Sequence, residues 1–189
     1  MPRDYKTISP NRVTRKDRAV DDDAWIKAAL RRAPMGYLAT LHGEQPFINS
    51  NLYVYDEQAH VIYMHTAKVG RTRAAVESAE RVCFTVTSMG RLLPAPEALE
   101  FSVEYSGVVV FGTAQIITSD AEAMHALQIL LDKYAPHLKA GEDYRPPTQS
   151  EINRTTVYKI AIESWSGKKK EVASDFPGAY RYEEVLARS

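Results

Sequence analysis

The sequence predicts a mainly β protein with a few helices, folded as a small closed or partly closed barrel. Three observations carry that prediction. Short runs rich in Val, Ile, Tyr and Phe recur between Gly-, Asp- and Glu-bearing turns, the signature of antiparallel strands. Helical spacing is confined to brief stretches, so strands do not alternate with helices as a doubly wound parallel sheet requires. Closing an antiparallel sheet also removes its exposed edges. The 189 residues, 21.2 kDa, suit one domain that buries about 70% of the surface its unfolded form exposes.

Residues 1–20 are polar and basic, with Arg3, Lys6, Arg12, Arg15, Lys16 and Arg18, and read as an extended arm or a solvated tail. Asp21-Asp22-Asp23 then supply a cap for a helix over 24–33, whose Trp25, Ile26, Ala29, Leu30 and Ala33 form one apolar stripe ended by Pro34. Strands follow at 36–42, 46–55 and 60–66, a three-stranded meander. A short helix over 70–80 leads to a fourth strand at 81–88 and a loop over 89–100. Residues 101–118 are too long for one flat strand, and Gly107 and Gly112 mark bends or bulges. Asp120 caps a helix to Tyr134 with Met124, Leu127, Leu131 and Tyr134 on one face. The proline-bearing stretch 135–155 is a surface excursion, and the last strand spans 156–165. The division expected is arm 1–20, barrel domain 21–170 and irregular tail 171–189.

Composition excludes several functions. Lys+Arg and Asp+Glu are equal at 24 each, without the basic excess of a nucleic-acid binder. Cys83 is alone, which rules out a disulfide framework and a multi-cysteine metal site. No apolar stretch reaches membrane-spanning length, and MPRDYKTISPNR lacks the apolar core of a secretory signal, so the expected location is the cytoplasm. Motifs of dinucleotide, P-loop, zinc-protease and serine-hydrolase sites are absent. His60 and His65, an odd number apart on the expected strand, point to opposite faces and cannot chelate one metal.

Three features remain. Thr66-Ala67-Lys68-Val69-Gly70-Arg71-Thr72-Arg73 is a cationic strand-to-helix turn in which Gly70 admits close backbone approach and the helix start offers free N–H groups to an anion. The same residues also read as a solvated helix start. In Phe47-Ile48-Asn49-Ser50-Asn51-Leu52 the two asparagines share one strand face, and Asn is otherwise depleted in strands. Trp165 followed by Ser-Gly-Lys168-Lys169-Lys170 sets a flat ring beside cations, or is a core Trp before a solvated lysine run. A phosphate anchor, a polar strand for a heteroaromatic edge and an aromatic flank together suit flavin mononucleotide (FMN).

The chain resembles the split-barrel flavoproteins related to pyridoxamine 5′-phosphate oxidase, in their nitroimidazole-resistance-like branch. RKDRAV, APMGYLAT, PFINSNLYVYD, VIYMHTAKVGR, RVCFTV, LLPAPEALEFSVEYSGVVVFGTA, KYAP, YRPP and IESWSGKKK carry the likeness, in order from about residue 13 to residue 170. The resemblance implies an FMN-binding split β-barrel with Greek-key connections, a homodimer with FMN at the subunit interface, and reduction or oxidation of a small aromatic substrate of nitroimidazole type. Ile48, Asn49, Ser50 and Asn51 would line the ring edge. Met64, His65 and Thr66 would run beneath the ring and ribityl chain, and Lys68, Arg71 and Thr72 would hold the phosphate. Trp165 and Lys168 would come from the partner chain, His65 is the catalytic candidate, and no metal is implied. Thr72 stands where the oxidases usually carry a second basic residue. Glu171-Val172-Ala173-Ser174-Asp175 lacks the Arg and His with which they grip pyridoxal, which argues against that substrate. A non-catalytic FMN or haem module is the competing class. Leu92, Leu93, Pro94 and Phe101 are expected to line the cleft over the ring.

Overall fold

The computed structural model describes residues 6–187, so Arg3 of the arm and the last two residues of the tail lie outside the described residues. A 3-10 turn at Lys16–Arg18 precedes β1 (Ala19–Val20) and α1 (Asp23–Arg32). Then come β2 (Gly36–His42), β3 (Gln45–Asn51), β4 (Tyr53–Asp56), β5 (Val61–Ala67), α2 (Arg71–Ser78), β6 (Arg81–Leu93) and β7 (Ser102–Ile116). The chain ends with α3 (Asp120–Tyr134), α4 (Gln149–Ile152), β8 (Thr155–Lys170) and α5 (Tyr182–Leu186). Every strand pairing is antiparallel, in one 8-stranded sheet of order β3-β2-β6-β7-β8-β5-β4, with β1 added to β8.

That order corrects the expected meander. The strand read as 46–55 breaks at Leu52, because its two halves lie at opposite edges of the sheet: β3 pairs with β2, and β4 with β5. One residue therefore joins the two edges, and the chain itself bends the sheet into a barrel. Burial follows the break. Phe47, Asn49 and Asn51 are half-buried while Ile48 and Ser50 face out, whereas Tyr53, Val54 and Tyr55 are all buried between two apolar layers.

The barrel interior is filled by Leu38, Tyr53, Ile62, Met64, Phe84 and Tyr158, and α1 covers it with Ile26 and Leu30. The cap of α1 is Asp22, whose carboxylate accepts from the Ala24 N–H at 2.9 Å. A second layer forms where α3 packs on Val54, Tyr63 and Val157. The cap of α3 is Ser119, one residue before the expected Asp120. The buried face of α3 is Ala123, Ala126 and Leu130, rotated by one residue from the expected stripe. The small alanines let the helix approach the strands closely, and Met124, Leu127 and Tyr134 flank the contact partly buried.

Two strands run well beyond their sequence patterns. β6 continues through the expected loop to a buried Leu93, with a bulge between Met89 and Leu92. β8 continues to Lys170, so the lysine run belongs to the sheet. Gly112 sits at the β7–β8 bulge, where a Cβ would lie 1.9 Å from the Ala161 carbonyl oxygen; Gly107, expected to mark another irregularity, is in regular register. The C-terminal segment folds back onto the β6–β7 hairpin. The Leu92 N–H donates to the Tyr180 carbonyl at 2.7 Å, and the Tyr180 N–H returns a bond at 3.2 Å. Arg91 grips Glu104 with two nitrogens at 2.8 Å and donates to the carbonyls of Val172, Ala173 and Ser174. Its Glu104 partner is held at a pKa of about 2, chiefly by that charged hydrogen bond.

Candidate anion-binding site

The turn between β5 and α2 is built to stay positive. Gly70 has φ +156°, a conformation that side chains rarely adopt, and it opens α2 without a side-chain cap. No acidic residue lies in the first turn of α2, so its free N–H groups and the positive end of the helix dipole are uncompensated. Among the described residues neither Lys68 nor Arg71 forms an ion pair. Arg71 instead lies over the Phe47 ring, 5.2 Å from its centroid. The neighbouring Arg73 is committed elsewhere: it binds Glu77 at 2.8 Å and the Lys68 carbonyl at 3.1 Å. The Thr156 hydroxyl also donates to that carbonyl at 3.1 Å, which pins the turn to β8.

β3 meets this turn through its inward face. Asn49 Nδ2 donates to the Thr72 hydroxyl at 3.1 Å, leaving the hydroxyl proton of the buried Thr72 free to donate onward. Asn51 Nδ2 is buried and has no hydrogen-bond partner. A buried amide left unmade costs about 1–3 kcal/mol, so this donor awaits an acceptor. Lys68, Arg71 and Thr72 thus share one turn, to which Asn49 is bonded, with Asn51 two residues along the same face. Ile48 and Ser50 point outward, Ile48 at 65% exposure.

β5 divides its expected site residues. Met64 is buried in the barrel, and the Thr66 hydroxyl bonds to the Tyr158 hydroxyl at 2.9 Å. His65 lies on the opposite face, at a cavity of about 230 Å³ lined by Leu127, Leu130, Leu131, Arg145 and Thr155 among others. Burial pushes its pKa below the ordinary histidine value, which favours the neutral imidazole. His60 does not share the strand; it stands in the preceding turn at φ +55°.

Trp165 and Lys168 are not brought to the turn within one chain. Trp165 donates its indole N–H to Asp23 at 2.8 Å and meets the His60 ring edge-on at 4.9 Å. It lies nine residues along β8 from Thr156, roughly 30 Å of strand. Lys168 lies 5.4 Å from the Tyr105 ring centroid. Leu92 and Pro94, expected over the ring, are tied to the C-terminal segment at Tyr180 and Gly178. Sequence reasoning missed the parts that brace the turn, Phe47, Arg73 and Thr156. The Arg73–Glu77 spacing of four was a legible helix pair, but nothing marked Thr156, which is distant in sequence.

The all-antiparallel strand pairing with few helices defines the class of split β-barrels. A family model described as pyridoxamine 5′-phosphate oxidase matches residues 22–169, and the chain belongs to that family. Among solved structures it is similar to the flavocytochrome Anf3 from Azotobacter vinelandii, at 25% identity and TM-score 0.76, covering 94% of this chain and 78% of that one. An FAD and haem binding protein from Mycobacterium smegmatis shares the fold at 20% identity and TM-score 0.74, over 91% of this chain and 80% of the other. A candidate 5-nitroimidazole antibiotic resistance protein from Bacteroides thetaiotaomicron does so at 17% identity and TM-score 0.66, over 81% and 90%. No curated protein matches the chain. No helix among the described residues is long and apolar enough to cross a membrane, and no group of His, Cys, Asp and Glu there could hold a metal ion.

Proposed function

We propose that the chain is a flavoprotein that holds the phosphate of FMN at the 68–72 turn and reduces or oxidises a small aromatic compound. The observation that carries this reading is the uncompensated charge of the turn: two unpaired cations at an uncapped helix start, beside a threonine whose proton is free. Asn51, with its unpartnered buried amide, suits a carbonyl or ring nitrogen of the isoalloxazine edge, with Asn49 on the same strand face and Ile48 and Ser50 turned outward. Thr66 and Met64 underlie the inner side. FMN, when bound, supplies the redox chemistry, and the protein supplies position and electrostatics. The 25% identical flavocytochrome supports a flavin in this fold.

The same reading makes the protein a homodimer. Trp165 and Lys168 lie far from the turn of their own chain, and a second copy would bring them to it. The outward face of β2 and β3 offers Tyr37, Leu41, Ile48 and Leu52 for that contact. Of the VVVFG run, Val108 and Val110 are buried in their own core, which leaves Val109 and Phe111 for an interface.

Purified protein is expected to bind FMN with quenched flavin fluorescence, and Arg71→Ala to weaken FMN by about 1.5–3 kcal/mol, the worth of a charged hydrogen bond. Riboflavin, lacking the phosphate, should be indifferent to that change. Protein that takes up no FMN at micromolar concentration ends this reading. Anaerobic NADH or NADPH followed by a nitroaromatic separates an enzyme, whose flavin bleaches and recovers, from a carrier that only dithionite reduces.

The His65 cavity favours a second reading for its own face of β5. A neutral imidazole at an apolar recess beside Leu127, Leu130 and Leu131 suits an axial ligand to haem. A Soret band on haem addition that His65→Ala removes supports it. An unaltered spectrum leaves His65 as a packing residue or, if the pH profile of nitroaromatic reduction changes in the variant, as a proton-handling one.

A further inference from the structure

The N-terminal segment roofs a second pocket, away from the 68–72 turn. Pro10, Arg12, Val13 and Thr14 cover a cavity of about 380 Å³ whose floor is the outward face of β6, β7 and β8. The register stacks that floor in rows, Thr85–Val109–Ser166 and Thr87–Gly107–Lys168, with Tyr105 flanking the second row. Between the side chains of Tyr105 and Val109 lies Gly107, so the strand leaves a slot roughly 13 Å from Cα to Cα with no side chain at its centre.

Packing within one chain does not demand that glycine. At Gly36, Gly90, Gly112 and Gly167, the other strand glycines described, a Cβ would meet a neighbour at 3.0 Å or less. At Gly107 the nearest atom would be 3.5 Å away, an ordinary contact. A strand glycine without a packing reason marks a place where something else approaches the backbone. Charge points to what it is. Arg12 and Lys168 line the cavity, and among the described residues neither forms an ion pair and no carboxylate lines it.

We propose that this pocket binds a small aromatic anion, its ring lying over Gly107 beside Tyr105 and its negative group between Arg12 and Lys168. A guanidinium fork and an ammonium suit a carboxylate or a phosphate alike. The inference rests on the flavin reading only in making the bound compound a candidate substrate, since that reading brings Lys168 to a second copy's cofactor.

The test is titration calorimetry with benzoate and, separately, inorganic phosphate, on flavin-free and FMN-loaded protein, with sedimentation to follow assembly. Benzoate should bind saturably in the millimolar range or tighter, and more tightly than phosphate. Lys168→Ala and Arg12→Ala should each weaken it at least tenfold. Gly107→Val, a good strand former in an open slot, should abolish binding while the far-ultraviolet circular dichroism stays unchanged; Gly107→Ala serves if the valine variant fails to fold. Arg71→Ala should leave benzoate binding intact. Absence of saturable binding to either form of the protein overturns the proposal, as does binding that ignores Lys168→Ala and the Gly107 variants. A preference for phosphate over benzoate overturns the aromatic assignment. Loss of FMN binding with benzoate binding retained would refute the flavin reading and leave this one standing.

Discussion

Arg71 and Arg91 are the same side chain put to opposite uses. Arg91 spends its donors within the molecule: it grips Glu104 and three carbonyls of the returning C-terminal segment. Arg71 makes no ion pair among the described residues and rests on the face of Phe47 at an uncapped helix start. The difference teaches that a cation's role is read from how completely its hydrogen bonds are met, and an arginine the fold does not use is available to a ligand.

That contrast can be broken in several ways, the largest first. Arg71→Ala should cost flavin affinity about 10- to 150-fold, the equivalent of 1.5–3 kcal/mol, with no change in Tm. Arg91→Ala should do the reverse: flavin affinity stays, Tm falls, and the segment after Lys170 becomes sensitive to limited proteolysis. If both variants lose flavin and stability together, the division between ligand-binding and structural arginines is wrong.

Acid should reproduce the Arg91 effect without mutation. Glu104 has its folded pKa lowered to about 2, against about 4.3 for an unperturbed glutamate. Its stabilising contribution is therefore complete above about pH 4.3 and is lost as pH falls toward 2. Pepsin cleavage of the C-terminal segment should rise across that window in wild type and be high throughout it in Arg91→Ala. A flat profile in wild type would mean that the clasp does not hold the segment.

The smallest effect separates two lysines in the same terms. Lys68 is exposed and unpaired, whereas Lys133 is half-buried, donates to the Ala33 carbonyl at 2.9 Å and lies 3.6 Å from the Tyr53 ring centroid. Burial lowers the Lys133 pKa to about 8, against about 10.4 in the unfolded chain. Between those values the unfolded state binds more protons, so the Lys133 contribution to stability grows as pH rises from about 8 to about 10.4. Urea unfolding of wild type and Lys133→Met should diverge in slope with pH only there; parallel curves would show that the ammonium is not desolvated.

Much of this was legible in the sequence, for identifiable reasons. The α1 stripe of Trp25, Ile26, Ala29, Leu30 and Ala33 lies against the barrel because a 3.6-residue period leaves few choices. The 68–72 turn could be read because its cations, glycine and threonines are contiguous. The break at Leu52 could not, since apolar alternation runs through it and only the identity of the pairing strands reveals it. Nor could the ends of β6 and β8: β6 resumes its pairing at Leu92 beyond a bulge, and in β8 the polar Lys168, Lys169 and Lys170 still join the ladder through their backbones. His65 shows the remaining limit: the strand period told which residues share a face, not which layer each face meets.

The joint at Leu52 also has a dynamic consequence. Asn51, with its idle amide, and Tyr53, whose hydroxyl donates to the Leu30 carbonyl and whose N–H donates to the Tyr134 hydroxyl, are separated by that one residue. Any ligand that captures Asn51 therefore pulls on a lever whose other arm lies in the core, and tightens the tie between α1, β4 and α3. The amides of β4, across the Leu52 joint from Asn51, should exchange with solvent more slowly once FMN is bound.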